Sequence, residues 1–300
     1  MPAPIALFAY KRAAELQRTI KALQANYLAA QSDLYVFVDG PRRPVDEAKV
    51  AEVRALARQI TGFRSVTLHL NDANAGCASA IIMGVSTVLV AHDRVIVVED
   101  DIVTTPNFLD FINQGLDQYR DHPRIFSIGG YTFPFARPAG YTDDAYVYGR
   151  TCAWGWGIWA DRWANTDWAI SDFDQFMADP AQRRAFNKYG SDRVRMLRRA
   201  VQGEIEAWDI RLCYAQFKRR QLTLYPTVSK VNNIGFESGE GVNTNVYNRY
   251  QTIQDEGSQR QFQLAADPAE HPLYTRQFQQ QFSLPVRVIN RLRTVVGIRS

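Results

Sequence analysis

The first hundred residues alternate short apolar runs with amphipathic stretches. Residues 5–10 and 34–38 are apolar runs that predict buried strands, each followed by polar residues. Residues 13–30, 46–60 and 76–92 place their apolar side chains at helical spacing. Strands that alternate with helices in this way predict an α/β fold, with a Rossmann-like first half and a mixed, mostly parallel sheet covered by helices.

Polar groups follow three of the predicted strands. The first group is Tyr10, Lys11 and Arg12, the second is Asp39, and the third is Glu99, Asp100 and Asp101, after the apolar run 94–98. In parallel α/β sheets, ligands bind beyond the carboxyl ends of the strands. We therefore expect the three groups to meet at one edge of the sheet and to form a ligand site there.

The acidic run 99–101 has a chemistry of its own. Three consecutive carboxylates at the end of a buried strand repel one another, and burial penalises each charge further. Mn²⁺ or Mg²⁺ would relieve this cost, because these ions prefer oxygen ligands and use one or two carboxylates beside substrate phosphates. The alternative is that the run caps the next helix, although Thr104 and Thr105 before Pro106 are better placed as N-caps. The run predicts a cation site that can neutralise a departing nucleoside diphosphate.

Tryptophans and glycines dominate the segment 150–159. Trp154 and Trp156 stand beside Gly155 and Gly157. Glycine lets the backbone approach a ligand, and indole faces stack on the C–H surfaces of sugars. A buried aromatic core is the alternative explanation of the aromatic-rich region 131–170. The pattern predicts that Trp154 and Trp156 contact a sugar.

Two acids in the second half are candidates for a catalytic base. Glu206 and Asp209 lie three residues apart in a predicted helix over 204–220, which would put them on one face beside Trp208. A reaction in which a hydroxyl group attacks needs a base, and a carboxylate can take the proton of that hydroxyl. An ordinary solvated helix is the alternative, but Trp208 and Leu212 favour inward packing. Both acids are therefore candidates for such a base.

Residues 94–111, which read RVIVVEDDIVTTPNFLDF, resemble the metal-binding region of glycosyltransferases of the GT-A fold. The resemblance is to the N-acetylglucosaminyltransferase I type and to bacterial polysaccharide and lipopolysaccharide transferases. Residues 6–12, 36–40 and 74–84 resemble the first strand, the uracil-binding acid and the Asn-x-Gly loop of that group. Matching segments extend from residue 5 to about residue 245.

The resemblance implies a reaction and the residues that carry it out. It implies transfer of a hexosyl or N-acetylhexosaminyl group from a nucleotide sugar, expected to be a UDP-sugar, to a glycan or lipid-linked glycan in bacterial surface polysaccharide synthesis. Asp101 would contact the metal, Asp100 the ribose or sugar, and Asp39 the uracil. The resemblance also implies inversion at the anomeric carbon, with Asp209, directly after Trp208, as the expected base and Glu206 as the second candidate. The expected donor-binding residues are Tyr10, Arg12, Asp39, Asn74, Gly76, Glu99, Asp100, Trp154 and Trp156. Many relatives carry a histidine in a late loop where this chain has none, so Asn243, Asn245 or water would replace it.

The same pattern predicts three regions. Residues 1–130 form the nucleotide-sugar-binding half, residues 131–250 the acceptor-binding half of the same domain, and residues 251–300 a C-terminal extension. In residues 285–300, apolar side chains occupy one side of a predicted helix and arginines the rest. This is typical of a helix that lies on an anionic membrane surface, and docking on the core or on a partner is the alternative.

Composition and charge exclude several classes. A net charge of +4 without a concentrated basic patch argues against nucleic-acid binding. Three cysteines without paired spacing argue against both a disulfide framework and a zinc site. We found neither a leader sequence nor an apolar run near the roughly 20 residues that span a bilayer. The expected location is the cytoplasm, either free or peripheral at the inner face of the cell membrane.

Two other functions stay open on the sequence alone. A nucleotidyltransferase of sugar phosphates also pairs strand-end acids with a metal, but it predicts a glycine-rich loop after the first strand, and residues 10–14 contain no glycine. A non-catalytic glycan-binding module would not need the acidic run. Metal-dependent release of a nucleoside diphosphate separates the transferase from both alternatives.

Overall fold

One eight-stranded sheet organises the chain, and its two faces carry separate layers of helices. The computed structural model describes residues 1–238 and 246–298. The strands are Ile5–Ala9 (β1), Asp33–Val38 (β2), Ser65–Leu70 (β3), Arg94–Glu99 (β4), Ile102–Thr104 (β5), Ile125–Gly129 (β6), Ala145–Tyr148 (β7), Trp156–Trp159 (β8), Leu222–Pro226 (β9) and Val231–Asn233 (β10).

The α-helices of these described residues are Ala13–Gln24 (α1), Glu47–Ala57 (α2), Cys77–Ala91 (α3), Phe108–Gln118 (α4), Ala160–Ala164 (α5), Phe173–Ala178 (α6), Pro180–Asn187 (α7), Arg193–Val201 (α8), Trp208–Lys218 (α9), Gly235–Ser238 (α10), Pro272–Gln281 (α11) and Leu284–Val295 (α12).

The strand order of the sheet is β3-β2-β1-β4-β8-β6-β9-β7. β1, β2, β3 and β4 are parallel neighbours, and β6 and β9 run in the same direction. Only β7 and β8 of these eight strands run against the others. The predicted mixed, mostly parallel α/β sheet is therefore confirmed. A second, two-stranded sheet pairs β10 with β5.

The two faces of the sheet bury different helices. On one face, α1 packs Leu16, Ile20 and Leu23 against β1 and β2, and α4 and α11 extend this layer. On the other face, α3 and α9 pack with Trp156 and neighbouring side chains. The sheet draws strands from both sides of residue 130, so the two predicted halves share a single sheet.

Several predicted helices differ in length from the observed ones. The helix predicted over 13–30 ends at Gln24. The sequence pattern also predicts a helical, basic stretch over residues 172–200. This stretch forms three helices, because Pro180 begins α7 and Gly190, at a φ of +148°, interrupts the chain before α8. The helix predicted over 204–220 begins only at Trp208, with Ala207 in an extended conformation.

Part of the C-terminal extension packs firmly on the sheet layers. The Asn107 amide donates to Asp255 Oδ1 at 2.8 Å, and Tyr274, Phe278 and Phe282 are buried. Helix α12 follows this anchored region. Within the described part of the chain, we found no helix with the length and apolar character that crossing a membrane requires.

Candidate functional site

The strand order places a crevice between β1 and β4. From β1 the chain builds β2 and β3 on one side and then returns to place β4 on the other side of β1. Ligands of open α/β sheets bind at such a reversal, beyond the carboxyl ends of the strands. Arg12 follows β1, and Glu99 is the last residue of β4. The predicted meeting of these groups at one edge of the sheet is therefore observed.

Arg12 bridges two of the three acids. Its Nη1 lies 2.8 Å from Asp101 Oδ2, and its Nη2 donates to Asp100 Oδ1. Both aspartates are buried, with 3% and 7% of their surface exposed. The Thr19 hydroxyl donates to the carbonyl oxygen of Asp100 at 2.8 Å, which fixes the backbone of the run to α1.

The acid run carries more negative charge than Arg12 neutralises. Burial raises the pKa of Glu99, and the negative charges of Asp101 and Asp100 raise it further. Burial also raises the pKa of Asp100, although the charge of Arg12 opposes this shift. One guanidinium thus faces three carboxylates, and the site is short of positive charge.

A segment distant in sequence closes over Asp101. Because β10 pairs with β5, the backbone N–H of Ile234 donates to the Asp101 carbonyl oxygen at 2.9 Å. The Gly235 N–H donates to Asn233 Oδ1 at 2.8 Å. A Cβ atom at Gly235 would collide with the Asp101 carboxylate and would lie 3.1 Å from Arg12 Nη1. Sequence reasoning did not identify Gly235 as a site residue, and only the two-stranded sheet reveals it.

Asp39 organises the loop after β3. Its two oxygens accept from the Asn74 amide at 2.8 Å, from the Ala75 N–H at 2.9 Å and from the Gly76 N–H at 3.2 Å. The Gly40 N–H and the Asn71 amide also donate to Oδ1. The carboxylate therefore already has several donors within its own chain. The structure gives Asp39 the role of holding Asn74 and Gly76 at the edge of the sheet.

The turn after β1 is held by a different acid. The Lys11 ammonium lies 2.7 Å from Asp46 Oδ1, and the Tyr10 hydroxyl donates to Asp46 Oδ2 at 3.3 Å. Tyr10 Oη also accepts from the Arg42 N–H at 3.0 Å. Tyr10 is half-buried beside Arg12, so the turn is ordered at the mouth of the crevice.

Asp209 and Glu206 lie near the acid run, since the charges of both act on Cys77 together with those of Glu99 and Asp100. Asp209 is the second residue of α9 and is half-buried, and its charge contributes to the raised pKa of Glu99. Burial raises the pKa of Asp209 itself, while the charge of Arg150 opposes this. Glu206 precedes the helix, so the prediction that the two acids share a helical face is wrong. The loop instead brings the Glu206 carboxylate beside Gly76, which has a φ of +80°.

The two predicted tryptophans occupy different environments. Trp154 is half-buried, with ring centroids of Tyr131 and Tyr250 at 4.8 and 5.0 Å and that of Phe236 at 6.1 Å. Because Phe236 follows Gly235, this aromatic cluster borders the acid run. Trp156 is 1% exposed in β8 and stacks on Trp208 at 5.4 Å, so it packs in the core and is not at the surface of the crevice.

Arg150 is a second residue that sequence reasoning did not single out. Its Nη1 and Nη2 each lie 3.0 Å from an oxygen of Asp192, and both side chains are largely buried. Its guanidinium lies 4.0 Å from the Phe282 ring centroid. Arg150 therefore joins α8 to the end of α11 and supplies positive charge near Asp209.

The acids suit a hard divalent cation in their chemistry. Buried carboxylate oxygens with unneutralised charge are the ligands that Mg²⁺ and Mn²⁺ prefer. Over residues 1–238 and 246–298, no group of three or more His, Cys, Asp or Glu side chains forms a complete metal site. A cation here would take one or two ligands from the acid run and the others from substrate phosphates or water. Asn243 and Asn245 lie outside the described residues.

Comparisons with known proteins do not assign a family or an activity to this chain. No protein-family model matches the chain, and no curated protein matches it. Among solved structures, the chain is similar to the crystal structure of S. aureus TarS, with a TM-score of 0.43 and 10% sequence identity. The match covers 76% of this chain and 37% of that chain, so this chain spans well under half the length of TarS. A likeness at this level does not indicate an activity.

Proposed function

We propose that the protein is a cation-dependent glycosyltransferase of the GT-A type that transfers a sugar, with inversion, from a UDP-sugar to a glycan or lipid-linked glycan. One observation carries the proposal. At the reversal point of the sheet, the acid run and Arg12 lie at the crevice, and Asp209 is near enough for its charge to raise the pKa of Glu99. A nucleotide diphosphate needs positive charge, and an attacking hydroxyl needs a base on the opposite side of the sugar.

The donor is assigned to the edge that Arg12 and Asp39 organise. Arg12 brings a guanidinium to the end of β1, where it can pair with a diphosphate oxygen. Asp39 acts as a positioning residue, because it fixes the loop that presents Asn74 and Gly76. Tyr10 closes the same edge through its hydrogen bond with the Arg42 N–H.

Asp101, with Asp100 beside it, is the proposed protein ligand of Mn²⁺ or Mg²⁺. A bound cation would neutralise the negative charge that develops on the departing diphosphate. Arg12 already pairs with both carboxylates, so it holds them together just beyond the end of β4. Glu99, the last residue of β4, is the third acid of the run, and its pKa is raised.

Asp209 is the proposed base. Its carboxylate takes the proton of the acceptor hydroxyl while the hydroxyl oxygen bonds to the anomeric carbon, and the bond from that carbon to the diphosphate oxygen breaks. Burial raises the pKa of Asp209 and so makes it a stronger base than an exposed aspartate. Glu206 approaches the loop at Gly76, so we assign it to donor positioning.

The cluster around Trp154 is the proposed sugar-contacting wall. Trp154, Phe236 and Tyr250 are half-buried aromatic side chains beside the acid run. Their faces can stack on the C–H surface of a pyranose, while the nearby carboxylates bind hydroxyls. Trp156 has no part in this assignment, because it is packed against Trp208.

Substitution of the proposed base tests this function. With a donor identified from a panel of nucleotide sugars, Asp209→Asn should lower kcat by about 100-fold or more and leave the donor dissociation constant nearly unchanged. Glu204→Gln is the matched control, because Glu204 is an exposed acid of the same segment that pairs with Arg199 at 3.0 Å. Wild-type turnover in Asp209→Asn would refute the assignment.

The released product separates the alternatives. A glycosyltransferase releases a nucleoside diphosphate, a nucleotidyltransferase releases pyrophosphate from a nucleoside triphosphate, and a glycan-binding module releases neither. The ordered turn at Tyr10 and Lys11, held by Asp46, contains no glycine-rich phosphate loop. Pyrophosphate release would therefore contradict the proposed function.

A further inference from the structure

Helix α12 turns its apolar side away from the protein. Leu284, Val288, Leu292 and Val295 are between 50% and 76% exposed, and Ile289 and Val296 extend the same side. The side that faces the protein carries the half-buried Val286, Asn290 and Thr294. Within the described helix Leu284–Val295, none of the side chains is buried. This is the reverse of the usual amphipathic arrangement, in which the apolar face packs on the core.

The outward orientation is fixed by the segment before the helix. Helix α11 anchors the chain because Tyr274 and Phe278 are buried, as is Phe282 just after it. The Ser191 hydroxyl donates to the Phe282 carbonyl oxygen at 2.6 Å. At the other end of α12, Thr294 Oγ1 accepts from the Tyr247 N–H at 2.9 Å. Two attachments therefore hold the polar side inward and leave the apolar stripe exposed.

Positive charge borders the apolar stripe on both sides. At 100° per residue, Arg287 and Arg291 lie along one border and Arg293 along the other. Residues 271–300 contain no aspartate or glutamate. Long arginine side chains can reach past an apolar face to place their charges at the level of lipid headgroups. The exposed Arg195 and Arg198 of α8 add positive charge to the part of the surface that Ser191 joins to Arg287.

From this surface we propose that α12 docks in the interface of a membrane that contains anionic lipids, with its apolar stripe in the acyl boundary. A second copy of the chain is a poorer occupant, because face-to-face packing of two stripes would bring the arginine borders together without any acid to pair with them. An anionic bilayer satisfies both the apolar stripe and its basic borders. This docking involves only α12 and lipid, so its test does not depend on whether the protein has the proposed transferase activity.

Vesicle sedimentation with the full chain tests this docking. The protein should sediment with phosphatidylcholine vesicles that contain phosphatidylglycerol, and less with phosphatidylcholine alone. Leu292→Glu should lower the partition coefficient by about tenfold or more, because an apolar anchor is lost and a negative charge faces anionic lipid. Arg291→Gln should lower it by about fivefold and weaken its salt dependence.

A matched substitution elsewhere controls for nonspecific effects. Val90 is 89% exposed at the end of α3, so Val90→Glu introduces the same charge on an unrelated surface and should leave partition unchanged. Absence of wild-type sedimentation with phosphatidylglycerol vesicles would overturn the proposal, as would equal losses in Val90→Glu and Leu292→Glu. A wild-type dimer in light scattering that Leu292→Glu converts to a monomer, without lipid binding, would assign the stripe to a second copy instead.

Discussion

Gly235→Ala is a small change aimed at the centre of the acid site. A Cβ atom at this position would lie well inside van der Waals contact with Asp101 Oδ2, 3.0 Å from Asn233 Oδ1 and 3.1 Å from Arg12 Nη1. The backbone cannot retreat easily, because the neighbouring Ile234 N–H is bonded to the Asp101 carbonyl oxygen. The Asp101 carboxylate must therefore rotate away and weaken its 2.8 Å pair with Arg12.

The size of the effect follows from this displacement. Restoring ordinary van der Waals distance moves the carboxylate by about 1 Å, and a misplacement of that size in a catalytic site can lower the rate by about 100-fold. Crowding one methyl group into a packed site lowers the free energy of unfolding by about 1–3 kcal/mol. We therefore expect kcat/KM for the donor to fall by about two orders of magnitude while the protein remains folded.

Gly140→Ala provides the comparison for this prediction. Gly140 has a φ of +72° and open space around it, so alanine there adds backbone strain of about 1 kcal/mol without touching the site. Steady-state kinetics and urea unfolding should show a loss of activity in Gly235→Ala alone, beside modest destabilisation in both variants. Wild-type kcat/KM in Gly235→Ala, or equal activity losses in the two variants, would refute the reasoning.

Two further predictions concern buried charge and an accessible thiol. Asp192→Asn leaves the buried Arg150 guanidinium without its bidentate partner, so urea unfolding at neutral pH should show a loss of about 3–5 kcal/mol. Burial alone would raise the pKa of Asp192, but the charge of Arg150 lowers it to about 2. The stabilisation from this ion pair is therefore complete above the ordinary aspartate pKa of about 3.9 and is lost as the pH falls toward about 2. The difference in unfolding free energy between the wild type and Asp192→Asn should accordingly shrink in acid. Part of Cys77 is exposed whereas Cys152 and Cys213 are buried, so maleimide should label one thiol. Labelling should be slow at neutral pH, because protein groups around the thiol shield it from water and nearby acids add negative charge, and both raise its pKa. A nucleotide sugar should slow this labelling if the donor occupies the crevice, and labelling of several thiols in the native protein would contradict the structure.

The sequence pattern predicted the features that depend on local periodicity. The runs 5–10 and 94–98 became β1 and β4, and the helix predicted over 76–92 became α3, because alternation and helical spacing of apolar residues act over short distances. The groups at the strand ends then had to meet at one edge, since parallel neighbours end on the same side. Arg12 and the run 99–101 were predictable for this reason.

Features that depend on distant contacts were not predictable in this way. The pairing of β10 with β5, which brings Gly235 over Asp101, joins segments more than a hundred residues apart and leaves no local pattern. Glu206 has helical spacing from Asp209, yet the helix begins only after Ala207. Trp156 stands beside glycine as Trp154 does, but it lies in β8, a central strand that is buried on both faces of the sheet.

Helix α12 also combines a feature that local periodicity predicts with one that depends on distant contacts. The spacing of Val288, Leu292 and Val295 predicted an amphipathic helix with its apolar residues on one side. Which side faces the protein depends on the anchoring of α11 and on the bond between Thr294 and the Tyr247 N–H. The structure decides against docking of this stripe on the rest of the described chain, which the sequence left open.

Donor binding tests the central claim most directly. A thermal-shift titration with a panel of nucleotide sugars, each with Mn²⁺ and with chelator, measures it without knowledge of the acceptor. Saturation to about 100 times the dissociation constant stabilises the folded state by about 2.7 kcal/mol, which corresponds to a rise in Tm of about 5 °C for a protein of this size. We predict this rise with at least one UDP-sugar in Mn²⁺, and its loss in Asp101→Asn. If no nucleotide sugar in the panel raises the Tm, either with or without the cation, the proposed function is contradicted.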